Sequence, residues 1–431
     1  MTVSAVDERP TPLEVPPRPA SKRWASVARR ALKKLASADT VVVTFFSVLA
    51  ALIVGAIIMI VTTPVTIDAW GRLFSQPGTA LSSSWDLVSS AYGSLLSGSL
   101  GSLGAYRHAF GSRADFANAF YPLPETVVDA TPYWIGGIGV AIAMRAGLFN
   151  IGGQGQMIVG AIAASAVGLA WPKLPLAPHL ALVLVGALAA GAAFGWVPGV
   201  LRAKAGAHEV IVTLMLDYIA LNLLLYVLTF RFFVGKGQNA LSLTMPPSAT
   251  LPLLAGTGLR VNVGAIIGLA AVVFGSVLLS RTVFGFRLRL VGASPAAARA
   301  SGVNSGRAII LALALSGAIL GLAGGVEAAG VAPNLVANYG GTIGFNAVIV
   351  ALLGRGKPLG VLLAALLFGM FDSGGTAMQA ATPVSLDLVQ VVESVIVLFI
   401  TAPVLVRAIF HLPAPAGGVA LPNLGGWGGA S

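Results

Sequence analysis

Polar side chains that could handle a solute stand next to helix-breaking glycines in one run of the chain, residues 145–156. Asn150, Gln154 and Gln156 lie there beside four glycines, between two apolar segments. Glycine breaks a helix, and the freed backbone groups must be buried in protein or line a wet cavity, because lipid offers them no hydrogen bonds. Side-chain amides donate and accept without a charge, which suits a neutral, hydroxyl-rich solute. We therefore assign the three amides to a solute pathway; a plain cytoplasmic turn is the alternative.

A second group of polar residues forms an acidic stripe. Glu209, Thr213 and Asp217 are spaced four residues apart, so they share one face of a helix. At 1.5 Å per residue Asp217 lies about 12 Å beyond Glu209, near mid-membrane. An ionisable group at that depth is costly and indicates a functional role, so we assign all three residues to the pathway. The alternatives are a helix N-terminus for Glu209 and a hydrogen bond to a neighbouring helix for Asp217.

The C-terminal half carries scattered polar residues. We assign Glu327, Asn346 and Asp372 to the pathway, although packing between helices explains each of them as well, and Asp372 also suits a helix cap. A further polar set shares one helix face, which we expect to turn inward: Gln390, Ser394 and Thr401.

A short helix is predicted inside a cytoplasmic loop, residues 281–307. Ser294 is a good N-cap, Pro295 suits the first helical position, residues 296–300 favour a helix and Gly302 suits its end. A two-turn helix is too short to be stable alone, so we expect it to dock against a partner. An ordinary surface turn is the alternative.

The composition places all these residues in a membrane protein. Of the 431 residues 56% are hydrophobic and 10% are charged, against about 25% charged in soluble domains. The mean hydropathy is +0.88, and apolar runs of about 20 residues recur, which excludes an ordinary soluble enzyme and a disordered chain. The sequence has no cysteine and no GxxxxGKS/T, HExxH or GxSxG motif. We therefore expect no catalytic residue, no metal and no cofactor on this chain.

The apolar segments predict an all-α integral membrane protein, a bundle of about ten transmembrane helices. The interruptions at Gly354, Gly356 and Pro358 predict broken or half-length helices in the two segments 345–354 and 359–372. The other segments cover residues 40–63, 126–144, 156–171, 179–200, 209–230, 261–280, 308–330 and 388–406. Glycines at four-residue intervals within two of them predict close helix packing: Gly191, Gly195, Gly199, Gly317, Gly321 and Gly325.

The distribution of charge sets the orientation. With the N-terminus inside and alternating segments, nineteen of the 26 basic residues lie on the inner side and seven on the outer, in agreement with the positive-inside rule. Both termini are then cytoplasmic. The net charge of +11 belongs to these inner loops, so the bilayer is the expected anionic partner and no nucleic acid is expected.

This topology divides the chain into five regions. They are a basic, Pro-rich cytoplasmic tail (1–38), whose residues 21–35 suit an amphipathic helix on the inner leaflet; a first transmembrane helix (39–63); an external amphipathic segment or partly disordered loop (64–125); the membrane core (126–406) with the loop 281–307; and a Gly/Pro-rich cytoplasmic tail (407–431).

Four stretches together resemble one known family. They are RAGLFNIGGQGQ at 145–156, EVIVTLMLDY at 209–218, GASPAAARASG at 292–302 and GFNAVIVALLGR at 344–355. The chain is similar to permease subunits of bacterial ABC importers of the branched-chain amino acid, simple sugar and nucleoside group. Within that group it looks most like the purine-type nucleoside permeases. It departs from them at three positions, where His208 and Asp217 replace a usual Asn and Gln154 replaces a common Glu.

The resemblance implies a function and a set of partners in the bacterial plasma (inner) membrane. Two such permease subunits, identical or homologous, would line one pathway for nucleosides, and an extracytoplasmic solute-binding lipoprotein would deliver the solute. Separate ATPase subunits would bind ATP-Mg and dock on the loop helix. The residues that this coupling would use are Gly292, Ser294, Pro295, Ala297, Arg299 and Gly302. A permease for simple sugars such as ribose is the alternative within the family.

Two other classes of protein remain open from the residues themselves. Glu209, Asp217 and Glu327 could form the relay of an ion-coupled secondary transporter, which needs no ATPase. A membrane scaffold or membrane enzyme is the third class, and the lack of a catalytic cluster disfavours the enzyme.

Overall fold

The computed structural model describes residues 38–234, 241–254, 256 and 259–401. Residues 51–401 form one compact unit, and residues 38–50 belong to a second one. The predicted tail helix at 21–35 and the tail at 407–431 lie outside the described residues.

The described residues form sixteen α-helices and no β-strand. In chain order they are α1 (Ala38–Thr62), α2 (Pro64–Gly71), α3 (Pro77–Leu100), α4 (Leu103–His108), α5 (Arg113–Phe120), α6 (Pro122–Arg145), α7 (Gly153–Ala170), α8 (Leu176–Ala205), α9 (Glu209–Val227), α10 (Val263–Arg281), α11 (Val283–Ala293), α12 (Pro295–Ala300), α13 (Ser305–Gly330), α14 (Ile343–Leu353), α15 (Pro358–Ala381) and α16 (Leu386–Thr401).

The lengths of these helices confirm an all-α polytopic membrane protein. Seven stretches in the described residues are long and apolar enough to cross a bilayer: Asp115–Arg145, Gly153–Ala170, Leu176–Ala205, Glu209–Val227, Val263–Arg281, Ser305–Gly330 and Pro358–Ala381. The helices Val48–Thr62 and Pro64–Gly71 are long and apolar enough to cross a bilayer only when taken together. They are bent by 76° relative to each other, and as one broken span they would be an eighth. The bend falls where Pro64 opens α2, since proline cannot continue the preceding helix. The number of ten crossings stays a prediction.

The segments on either side of Gly354 differ from each other. Helix α14 has 11 residues and is half-length, as predicted. The prediction for 359–372 is wrong, because α15 runs unbroken for 24 residues, Pro358–Ala381. Polar residues from Asp372 onward ended the apolar run in the sequence, but the backbone remains helical through them. Asp372 therefore lies inside a helix, and its interpretation as a cap is also wrong.

Helix α3 occupies much of the segment predicted as an external cap. It packs along α15 and buries one face, at Ala80, Ser84, Leu87, Ala91 and Leu95. The external position of 64–125 stays a prediction, but residues 77–100 are an ordered helix and not a loop.

Small residues bring the central helices close together. Helix α6 is buried along most of its length and contacts α10, α13, α14 and α15. Gly191 of α8 and Gly317 of α13 face each other so closely that a Cβ on either would overlap the carbonyl oxygen of the other. This contact confirms the predicted packing role of the spaced glycines, since helices in lipid associate through close backbone approach.

Candidate solute pathway and coupling loop

The amides Asn150 and Gln156 form a buried network that ties two helices together. Asn150 is completely buried in the turn between α6 and α7. Its Nδ2 donates to Gln156 Oε1 (2.8 Å) and to Ser316 Oγ (2.8 Å), and Gln156 Nε2 donates back to Asn150 Oδ1 (3.2 Å). The pair thus joins the start of α7 to the middle of α13. These amides are engaged with protein groups.

Gln154, a residue of α7, caps the N-terminus of the half-length helix α14. Its Oε1 accepts a hydrogen bond from the Gly344 amide (2.7 Å), and its Nε2 donates to the Tyr339 carbonyl (3.3 Å). Gly344 lies in the first turn of α14, where backbone N–H groups have no partner within the helix. Gln154 therefore supplies an acceptor that water cannot supply at this buried position.

Asp217 likewise accepts a hydrogen bond from a backbone amide in the first turn of a helix, here α7. Its Oδ1 accepts a hydrogen bond from the Gly155 amide (2.7 Å), in the first turn of α7, and its Oδ2 is buried without a hydrogen-bond partner. The predicted stripe does share one buried face, because Glu209 is 6%, Thr213 0% and Asp217 5% exposed. Glu209 opens α9, and its Oε2 lies 3.2 Å from Arg202 Nε.

A cavity of about 140 Å³ lies between α14, α15 and α16. All seven residues that line it are uncharged: Thr342, Phe345, Asn346, Ile349, Phe368, Gln390 and Ser394. Asn346 was assigned to the pathway from the sequence. Gln390 and Ser394, which were expected to turn inward, line this cavity but remain exposed. Phe345 and Phe368 were missed, because an aromatic residue in an apolar segment gives no signal that separates a cavity wall from packing.

An acidic group lies near the N-terminal end of α6 and in the C-terminal halves of α13 and α15. Asp372 Oδ2 accepts a hydrogen bond from Tyr133 Oη (2.7 Å). Glu327 interacts electrostatically with Asp372 and with Asp129, a residue that sequence reasoning missed. The signal was a single carboxylate within the apolar segment 126–144. Arg260 faces this group and pairs with Glu125, with Nη1 and Oε2 2.8 Å apart.

The described residues offer no protein site for a metal. No group of three or more His, Cys, Asp or Glu side chains among them could hold an ion.

The loop 281–307 contains the predicted short helix, α12. Ser294 Oγ accepts a hydrogen bond from the Ala297 amide (3.2 Å), Pro295 is the first helical residue, and Gly302 closes the turn with φ = +74°, which favours glycine. The surfaces of Pro295, Ala297, Arg299 and Gly302 are exposed. The sequence did not predict α11, which fills most of the remaining loop.

Close contacts join this loop to the turn between α6 and α7. Gly292, at the end of α11, packs so closely on Gly147 and the Arg145 carbonyl that no side chain would fit between them. Arg145 Nε in turn donates to the Gly356 carbonyl (3.1 Å). A groove of about 260 Å³ lies beside α12, and its polar rim includes the exposed Arg287 and Arg307. The loop is thus in direct contact with the turn that leads to Asn150.

The fold is that of a multi-span, all-α membrane protein. The family model described as branched-chain amino acid transport system / permease component matches residues 123–401. The chain belongs to this family of permease components, which confirms the resemblance found in the four sequence stretches.

Curated relatives support this assignment. The guanosine ABC transporter permease protein NupP of Bacillus subtilis is 36% identical over 293 residues, which cover 67% of this chain and 83% of that protein. The glucose ABC transporter permease protein TsgB13 of Haloferax volcanii is 34% identical, with 65% and 76% covered. The nucleoside ABC transporter permease protein NupB of Lactococcus lactis is 32% identical, with 66% and 80% covered. No solved structure matches the chain.

Proposed function

We propose that this chain is the permease subunit of an ATP-driven importer that carries nucleosides across the plasma membrane, with both termini in the cytoplasm. The observation that carries the proposal is the uncharged cavity between α14, α15 and α16, in a chain whose relatives include two permeases named for guanosine or nucleosides. Amide, hydroxyl and phenyl side chains suit a neutral solute that has both a planar ring and hydroxyl groups.

The importer we propose contains further subunits besides this chain. A second permease subunit, identical or homologous, completes the pathway, and an external solute-binding lipoprotein delivers the solute. ATP-Mg is bound by two separate ATPase subunits, in keeping with the lack of a phosphate-loop motif in this sequence. The ATPases dock on α12 and the groove beside it, where exposed Arg287 and Arg307 favour an acidic partner surface.

The contacts within this chain suggest how ATP binding would reach the pathway. A push on α12 passes through α11 to Gly292, which has no free space against Gly147. The turn after Gly147 leads to Asn150, whose hydrogen bonds hold α7 to α13. Tightly packed elements move as units, so we expect these helices to rock together between inward- and outward-facing states.

Uptake measurements test this function directly. Cells that lack the gene, and cells in which it is restored, are given labelled adenosine, guanosine, uridine, ribose or glucose. Uptake of nucleosides that depends on the gene is the expected result. Dependence for ribose or glucose alone would keep the importer and refute the nucleoside assignment.

A sugar permease is the second candidate, because one relative is named for glucose at an identity close to that of the nucleoside relatives. The hydroxyls of Thr342 and Ser394 and the amides of Asn346 and Gln390 suit a sugar as well. Phe345 and Phe368 favour the nucleoside, since a base offers a π-face to both rings.

A further inference from the structure

The amides near the start of α7 differ in hydrogen bonding from the two amides that line the cavity. Asn150, Gln154 and Gln156 bond to one another, to Ser316 or to the backbone of α14 and its approach, and all three are buried. By contrast, Asn346 Oδ1 and the whole Gln390 amide have no hydrogen-bond partner among the residues that the structure describes, and both side chains line the cavity. A solute can therefore bond to the two cavity amides without breaking protein contacts.

Asn346 and Gln390 lie on two different helices that line the cavity, and Asn346 Nδ2 makes one long hydrogen bond, to Thr342 Oγ1 at 3.4 Å. Thr342 precedes the first residue of α14, one turn before Asn346, and Gln390 and Ser394 are one turn apart on α16. Each side of the cavity thus has a hydroxyl and an amide. Phe345 and Phe368 add two aromatic rings. Phe368 is held in place by an edge-to-face contact with Tyr133 at 5.7 Å between ring centroids.

The size of the cavity limits what it holds. A volume of about 140 Å³ is below the range of roughly 300–1,000 Å³ that holds a complete drug-sized ligand, so the cavity accommodates one ring system of a larger solute. A cavity wall with two phenyl rings favours the planar base of a nucleoside over its saturated ribose ring. Asn and Gln amides are also the side chains that pair with donor and acceptor atoms along the edge of a base.

We propose that this cavity is a base-recognition site, in which Asn346 and Gln390 hydrogen-bond the edge of the nucleobase and Phe345 stacks on its face during transport. The inference rests on the proposed nucleoside import and adds which part of the solute these residues contact. Selectivity among bases is then set partly in the permease and not only in the binding protein.

The test compares two nucleosides in the complete importer. Initial rates of adenosine and uridine uptake are measured for the wild type, Asn346→Ala, Gln390→Ala and Phe345→Leu, each corrected for the amount of protein in the membrane. The matched control is Asn222→Ala on α9, whose exposed amide bonds to the carbonyl of Tyr218 one turn earlier and lies outside the cavity. A second readout is photo-crosslinking of an azido-adenosine, followed by mapping of the labelled peptide.

We expect each amide variant to lower uptake of one nucleoside by about 5- to 10-fold, the equivalent of one hydrogen bond, and to change the adenosine-to-uridine ratio. Phe345→Leu should lower both rates, and the control should match the wild type. The crosslink should fall within residues 342–349 or 390–394 and be displaced by adenosine but not by ribose.

Three results would overturn the inference, and they can be told apart. Equal losses for both nucleosides with an unchanged ratio would show contacts to the ribose and refute base recognition. Wild-type rates in all three variants, with nucleoside uptake intact, would show that the cavity is not in the pathway. Wild-type cells without nucleoside uptake would refute the proposed function itself, and the inference with it.

Discussion

The carboxylate of Asp217 offers the sharpest test of how this bundle is held together. In the sequence it reads equally well as a pathway group or as a structural hydrogen-bond partner. The structure gives Oδ1 one bond, to the Gly155 amide at 2.7 Å in the first turn of α7. We therefore expect Asp217→Ala to destabilise the protein and Asp217→Asn, which keeps the acceptor oxygen, to preserve it.

The geometry fixes the magnitude of this effect. A Cβ on Gly155 would lie 2.9 Å from the Cα of Asp217, so the two backbones are too close for a water molecule to enter and replace the lost oxygen. The buried amide would then remain unsatisfied, at a cost of about 1–3 kcal/mol. In a chain of this size that corresponds to a fall in Tm of a few degrees.

The assay is thermal unfolding of the purified complex, combined with nucleoside uptake in cells. We expect Asp217→Asn to keep the Tm and the uptake rate of the wild type, and Asp217→Ala to lose both stability and part of its uptake. The reasoning would be refuted by an Asp217→Asn protein that is as stable as the wild type but does not transport, because transport would then require the charge or the proton of the carboxylate.

Three further predictions concern packing, capping and coupling. Gly191→Ala should lower the free energy of unfolding by about 1–3 kcal/mol, because the new Cβ meets a backbone carbonyl oxygen. Gly93→Ala is the control: its Cβ has open space, so the free energy of unfolding should stay the same or rise slightly. Equal effects of the two variants in thermal melts would disprove the close contact. Gln154→Ala should lower the free energy of unfolding by about 1–3 kcal/mol, because the buried Gly344 amide loses its acceptor; chemical unfolding that gives the wild-type value would contradict the capping role. Ala297→Glu on the exposed face of α12 should abolish ATP-driven uptake while membrane insertion stays normal, and normal uptake would contradict the docking role of this helix.

Local features of the sequence determined much of the architecture. The spanning helices follow from the length of apolar runs, because lipid leaves the backbone no partner except its own helix. Helix α12 follows from Ser294 and Pro295, since a cap bonds to the amide three residues later and needs no tertiary contact. The half-length of α14 and the glycine contacts of α8 were predictable for the same local reasons.

Only the tertiary structure decided which polar residues serve the fold and which are free. Gln154 and Asp217 reach amides 190 and 62 residues away in the chain, and no local pattern encodes such a pairing. In the sequence Asp372 suits a helix cap as well as a pathway residue, but in the structure it accepts a hydrogen bond from Tyr133 from within a helix. Spacing tells which side chains share a face of one helix; which amides remain free for a solute depends on what the neighbouring helices place against that face.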